Sequence, residues 1–362
     1  MRMISPPGST LNHMPFHANS SLRPFLLTLL LGFVAAVIFN WINAPLPWMI
    51  GPLAATAAAR MAGADLHAPV QMREAGQWAI GAALGLYFTP AVIKVLASYV
   101  GFIAIGIAFS LALGTVCGWL LHKLSGVDRT TAFFSMAIGG ASEMATQGER
   151  HGAAVDRVAA AHSLRIMMVV VIVPFAFKFW DVHGLDVFVP GARHVDYLGL
   201  LALVALTSVA AIGLKRMAWP NAWVIGPLLA AIALTAFEVN LSALPEWMVR
   251  LGQLFIGVSL GTRFSPDFLH TAPRFLGSVA LCTVAAILIA AGFGVALAAV
   301  SGMHRATAIL ATSPGGIAEM SLTAKTLQLG VPIVTAFHVM RLAALVMTIG
   351  PLYKLAQRLR AP

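Results

Sequence analysis

The chain has 362 residues, of which 59% are hydrophobic and only 10% charged, with a mean hydropathy of +0.86 and a formal net charge of +10. A water-soluble domain carries about a quarter of its residues charged, so this composition excludes one and points to a chain solvated by lipid. The basic residues are scattered singly through short loops, as a positive-inside bias produces, which argues against a nucleic-acid partner.

Residues 1–22 are polar and contain Pro6-Pro7-Gly8; they are expected to form a disordered cytoplasmic tail. The apolar run after Arg23 ends in Asn40-Trp41-Ile42-Asn43-Ala44-Pro45, without a small-residue cleavage pattern, and reads as a first span rather than a removed signal peptide. Long segments follow at 24–42, 46–62, 76–93, 97–122 and 158–180, then at 195–214, 221–238, 247–264, 273–300 and 331–353. A crossing helix needs roughly 20 largely apolar residues. Only helices or closed barrels satisfy the backbone in lipid, and continuous rather than alternating runs select helices. Two shorter segments, 131–147 and 307–323, carry Gly-Gly and a Glu at their middle. Residues 357–362 make a C-terminal tail.

The order of segments repeats. Trp48-Met49-Ile50-Gly51-Pro52-Leu53 returns as Trp223-Val224-Ile225-Gly226-Pro227-Leu228. Gly76-Gln77, Gly81 and Gly85 return as Gly252-Gln253, Gly257 and Gly261, 176 residues later. Gly139-Gly140-Ala141-Ser142-Glu143-Met144 returns as Gly315-Gly316-Ile317-Ala318-Glu319-Met320, and His162 with Arg165 returns as His338 with Arg341. A duplicated half in so apolar a chain is the usual mark of a transporter-like membrane fold. The expected fold is an all-α polytopic integral membrane protein of two inverted repeats, 23–190 and 191–356. Each has about five spans plus one broken or re-entrant helix. With both short segments re-entrant and the N-terminus inside, 15 of the 23 Lys and Arg residues fall on the cytoplasmic side against 6 outside. Full crossing of the short segments lowers the split to 13 against 8, so the charge rule prefers the inverted, ten-crossing arrangement with both termini cytoplasmic.

A carboxylate at membrane depth usually faces a cavity or a partner, which makes Glu143 and Glu319 the first candidates for substrate or coupling-ion binding. Gly139-Gly140 and Ser313-Pro314-Gly315-Gly316 have the composition of a helix break, with Ser142 beside the first. Freed N–H groups at such a break can cradle an anion, and freed carbonyls a cation. The structural alternative is that both acids only cap helices. His162 and Arg165, like His338 and Arg341, share a helix face at i, i+3, and each pair could fold back beside its Glu. A Glu–Arg ion pair would neutralise both charges, and a His beside Glu could serve a proton relay. The Trp-x-x-Gly-Pro units read as interface anchors with a tolerated kink, and the spaced glycines as close-packing faces. Gln77 and Gln253 are secondary candidates for a central cavity. Cys117 and Cys282 do not match between the halves and read as small core residues; no metal site and no cofactor is expected.

On the Gly-Gly-Ala-Ser-Glu-Met and Ser-Pro-Gly-Gly-Ile-Ala-Glu-Met motifs and the Gly-Gln repeats, the chain resembles the AbrB family of bacterial inner-membrane proteins. The resemblance covers nearly everything after residue 22 and implies a multi-pass protein of the bacterial inner membrane. The family carries two labels, ammonia monooxygenase and regulator of gene expression. A copper or iron oxygenase needs gathered His and carboxylate ligands, whereas of the eleven histidines only His13 and His17 stand four apart, in the tail. A transcription factor needs a soluble basic reading module, and none is evident. The leading expectation is therefore a secondary transporter or exporter of a small molecule or ion, not an enzyme, with an indirect effect on gene expression. The absence of a nucleotide-binding motif argues against ATP drive. The alternative is a membrane sensor or regulatory subunit. The solute and any homo-oligomer stay open.

Overall fold

The computed structural model of the chain describes residues 22–358, apart from 185–187, 189, 193, 265 and 267–271, with side chains described as far as Tyr353. The expected N-terminal tail lies outside the described residues except for Leu22, which opens the first helix. Of the C-terminal tail, residues 357 and 358 continue the last helix and the rest lie outside.

Among the described residues the structure is helical throughout, with no strand. The first series is α1 (Leu22–Trp41), α2 (Pro47–Met61), α3 (Val70–Gly85), α4 (Pro90–Ser98), α5 (Val100–Ser125), α6 (Arg129–Met136), α7 (Ala141–Arg150) and α8 (Val155–Phe179). The second is α9 (Tyr197–Arg216), α10 (Ala222–Ala236), α11 (Glu246–Gly261), α12 (Pro273–Ser301), α13 (Arg305–Thr312), α14 (Ile317–Thr326) and α15 (Val331–Arg358). Lengths agree position by position: 20 residues for α1 and α9, 15 for α2 and α10, 16 for α3 and α11, 8 for α6 and α13, 10 for α7 and α14.

Among the described residues, six helices are long and apolar enough to cross a membrane: α1, α5, α8, α9, α12 and Val331–Tyr353 of α15. This fits a protein that crosses a membrane several times. The other four expected spans are shorter than the apolar runs suggested. At 1.5 Å per residue, α2, α3, α10 and α11 reach only about 22–24 Å, below the ~30 Å of a hydrocarbon core. The expected span 76–93 is broken: α3 and α4 meet at 88°. Pro90 opens α4, and a residue before proline is pushed out of the helical region, as Thr89 is at φ −67°, ψ 163°.

The helices sort into two packed bodies. One, here the scaffold, contains α1, α2, α3, α9, α10 and α11. The other, the core, contains α5–α8 and α12–α15, and α4 lies between them. In the scaffold the two halves exchange partners. A methyl group added at Gly81 of α3 would run into the Val224 carbonyl of α10, and one at Gly257 of α11 into the Met49 carbonyl of α2. The helices α3 and α11 cross each other at Gly76 and Gly252. The expected close-packing faces thus serve the partner half, against its Trp-x-x-Gly-Pro helix. In the core, Gly118 of α5 packs on the backbone of Phe133 in α6, and Gly294 of α12 on that of Ile309 in α13. Scaffold and core meet along an apolar seam in which Leu46, Ile50 and Leu53 pack with Val169, Val170 and Val173.

Candidate functional site

Both short segments are pairs of half-helices. The chain leaves α6 at Ala137 (φ −54°, ψ 129°) and resumes helix at Ala141; it leaves α13 at Ser313 (φ −60°, ψ 149°) and resumes at Ile317. Ser313 precedes Pro314, which disfavours a helical Ser313 and removes one N–H from the break. The first break reaches the same geometry with Gly139-Gly140 and no proline. Each Gly-Gly-x-x-Glu-Met motif folds back on itself. A side chain at Gly139 or Gly315 would strike Met144 or Met320, and one at Gly140 or Gly316 would strike the carboxylate of Glu143 or Glu319. The glycines make room for those two side chains.

Gly140 and Gly316 are the N-cap residues of α7 and α14, so each Glu sits at N3 and reaches back over the helix start. Each carboxylate lies against its own N-cap glycine, and the Asn221 side chain lies beside the first of them. A carboxylate there complements the positive end of the helix dipole.

The Glu–Arg ion pairs expected from sequence do not form. Arg165 Nη1 donates to the Ala137 carbonyl at 2.8 Å and its Nη2 to that of Gly139 at 3.3 Å. Arg341 Nη1 donates to Ser313 at 2.7 Å and its Nη2 to Gly315 at 2.6 Å. The broken helices leave these carbonyls without i+4 partners, and the guanidinium supplies the missing donors. Each histidine completes the cap. His162 Nε2 bonds the Phe134 carbonyl and His338 Nε2 that of Leu310, both at 2.9 Å. Their Nδ1 atoms accept from Arg165 at 3.0 Å and Arg341 at 2.8 Å. Because arginine only donates, Nδ1 must be the acceptor and Nε2–H the donor in both rings. Each imidazole is therefore neutral with both nitrogens engaged, an arrangement that leaves no nitrogen free for the expected proton relay. Each of these four bonds recurs 176 residues later, while a fifth, from Arg165 Nη1 to the Met136 carbonyl at 3.5 Å, belongs to the first cap alone.

The two breaks meet at one cavity of about 110 Å³ between scaffold and core. Of the residues singled out from sequence, its wall contains Gly139, Gly140, Ser142, Glu143, Arg165, Gly315, Gly316, Glu319, His338, Arg341 and Gln77. Gln253, Ser313 and His162 lie outside it: His162 and Ser313 are spent inside the caps, and Gln253 follows Gly252 at the α3–α11 crossing, away from the cavity. The wall also contains Arg73, Arg263 and Asn221, none of them singled out from sequence: Arg73 fell between expected segments, and Asn221 and Arg263 at the ends of 221–238 and 247–264. Their signal was position: Arg73 lies one helical turn before Gln77, and Arg263 two residues after the last repeat glycine. A wider vestibule of about 470 Å³ adjoins the cavity, sharing Arg73, Gln77, Ser142, Glu143 and Asn221 and adding Arg150, Lys215 and Trp223. At its rim Lys215 pairs with Glu74 at 2.8 Å. Cys117 and Cys282 are free and buried in the core. Among the described residues, no three His, Cys, Asp or Glu side chains gather as a metal site.

The profile of the family described as "Transition state regulatory protein AbrB" matches residues 48–357. Among curated proteins, the chain is similar to one named "Putative regulator AbrB" from Escherichia coli (strain K12), at 26% identity over 328 residues, 90% of this chain and 92% of that one. It is also similar to "Uncharacterized protein YhjN" from Bacillus subtilis (strain 168), at 25% identity over 305 residues, 78% of each chain.

Proposed function

The chain belongs to the AbrB family, and we propose that it is a secondary transporter of a small solute in a bacterial inner membrane. The observation that carries this reading is that two carboxylates from distant halves, Glu143 and Glu319, share the wall of one small cavity between two packed bodies. A site formed at breaks in helices, at the interface of related halves, is the plan on which secondary transporters bind their cargo. On this reading the halves 23–190 and 191–356 are inverted relative to each other, with both termini cytoplasmic. The greasy seam between scaffold and core lets one body move against the other, which would carry the cavity from one side to the other. Glu143 and Glu319 are the coupling or binding groups. The capped breaks, held by Arg165–His162 and Arg341–His338, keep the half-helix ends fixed during that motion.

A metabolite-uptake screen in proteoliposomes tests the reading. Glu143→Gln and Glu319→Gln should abolish flux of the solute found while leaving the thermal unfolding midpoint of the purified protein nearly unchanged. Full flux in both variants would remove the carboxylates from the mechanism.

The name of the Escherichia coli relative favours a second reading, a membrane sensor that binds a ligand in the same cavity and alters gene expression through a partner. Ligand binding without flux would select it.

A further inference from the structure

Each hairpin brings one duplicated guanidinium and one duplicated carboxylate to the cavity. Arg165 sits on the carbonyl end of α6, where the dipole leaves about half a negative charge, and Glu143 on the N–H end of α7, where it leaves about half a positive one. Arg341 and Glu319 repeat this on α13 and α14. One guanidinium and one carboxylate per hairpin sum to zero. The wall holds two further charges, Arg73 and Arg263, and these are not duplicated: the positions 176 residues away are Val249 and Tyr87. Arg73 and Arg263 face Glu319 across the cavity, and Arg73 faces Glu143, but among the described residues neither arginine has a salt-bridge partner within 4.0 Å. Glu74, next to Arg73, is committed to Lys215. Four guanidiniums against two carboxylates leave the cavity at +2, in a chain where a charge at membrane depth is costly unless compensated.

We propose that the cavity binds a small oxyanion, with carboxylate or phosphate groups, between Arg73 and Arg263 of the scaffold. The inference rests on the transport reading only in making that anion the solute. A guanidinium presents a planar fork of donors that matches an oxyanion with two parallel bonds, and two such forks supply the missing counter-charge. The size of the cavity restricts the ligand to a small molecule.

The test reads the thermal unfolding midpoint of the full chain in detergent with inorganic phosphate, succinate or tetramethylammonium, at equal ionic strength. Phosphate or succinate should raise the midpoint by a few degrees, and tetramethylammonium should not. Arg73→Gln and Arg263→Gln should each abolish the rise. Arg73→Lys and Arg263→Lys, which keep the charge, should retain part of it, and Arg250→Gln, on the exposed face of α11, all of it. A rise that survives both Gln variants, a rise with tetramethylammonium alone, or no rise with either anion overturns the proposal. Anion binding with no flux in proteoliposomes would sink the transport reading and keep the anion site; flux confined to cations would do the opposite.

Discussion

On α7, Ser142 and Thr146 are exposed, whereas the residues 176 positions further on, Ala318 and Leu322 of α14, are 5% and 2% exposed. The two hairpins make nearly the same internal bonds, so the difference comes from what packs on them. Ala318 and Leu322 belong to the large apolar core that also takes in Leu46, Ile50 and Val170. On the α7 side the corresponding seam is small, with Val224 and Ile225 against Ile317 and Leu342, and the vestibule opens beside it. The duplicated residues set the geometry of each break, and the contact between scaffold and core sets which break can be reached. On the transport reading, the structure holds one of two alternate arrangements, with α7 open and α14 shut.

The largest effect should come from breaking what the hairpins share. Arg165→Gln and Arg341→Gln each leave at least two buried carbonyls without their donor. An unmet buried acceptor costs about 1–3 kcal/mol, so each variant should lose about 2–5 kcal/mol and unfold at a clearly lower temperature. The two losses should agree to within about 1 kcal/mol, since all the bonds but the longest correspond one for one. A much smaller loss in Arg165→Gln would show that the open hairpin does not depend on its cap as the shut one does. Midpoints measured by size-exclusion recovery after heating decide this.

Much of this geometry was legible in the sequence and part of it could not be. The Gly-Gly-x-x-Glu-Met motifs announced both breaks, because paired glycines and a lone acid have no place in an ordinary span. Hydropathy placed α2, α10 and α11 to within a few residues but missed the break of 76–93 between α3 and α4, since apolar character does not mark where a helix ends. The partners of Arg165 and Arg341 were hidden for another reason: they are backbone carbonyls, which any residue can offer, so side-chain complementarity pointed to the glutamates instead. Spaced glycines told of close approach without telling which helix approaches, and the exchange of α3 and α11 between halves went unread. Arg73 and Arg263 escaped because they belong to no repeat, and the duplication had drawn attention to matched residues only.

A middle-sized effect should sharpen the difference in access. In a chain with Cys117 and Cys282 replaced by Ala, Thr146→Cys should react with a membrane-impermeant maleimide at least about tenfold faster than Leu322→Cys, because only the thiolate on an exposed site meets the reagent. The expected side for Thr146→Cys is cytoplasmic, tested in inside-out vesicles. Equal rates at both positions would show that the two hairpins do not differ in access in the membrane.

The smallest effect concerns the starts of α2 and α10, which share a left-handed residue of opposite character: Leu46 at φ 47° and Asn221 at φ 49°. Asparagine tolerates that conformation, while leucine carries a penalty of about 1–2 kcal/mol there. Leu46 is held because it is 1% exposed in the seam with Val169 and Val170, where burial of a leucine side chain contributes about 1.5–3 kcal/mol. Glycine removes both contributions at once. Leu46→Gly should therefore destabilise by about 1–3 kcal/mol, a usual buried leucine truncation of about 2–5 kcal/mol less the relieved strain of about 1–2 kcal/mol. Asn221→Gly keeps the backbone conformation and removes no side-chain cap bond, so stability should change by less than about 0.5 kcal/mol. If Leu46→Gly costs as much as an ordinary core truncation, the strain at Leu46 contributes nothing, and the shut side is held by packing alone.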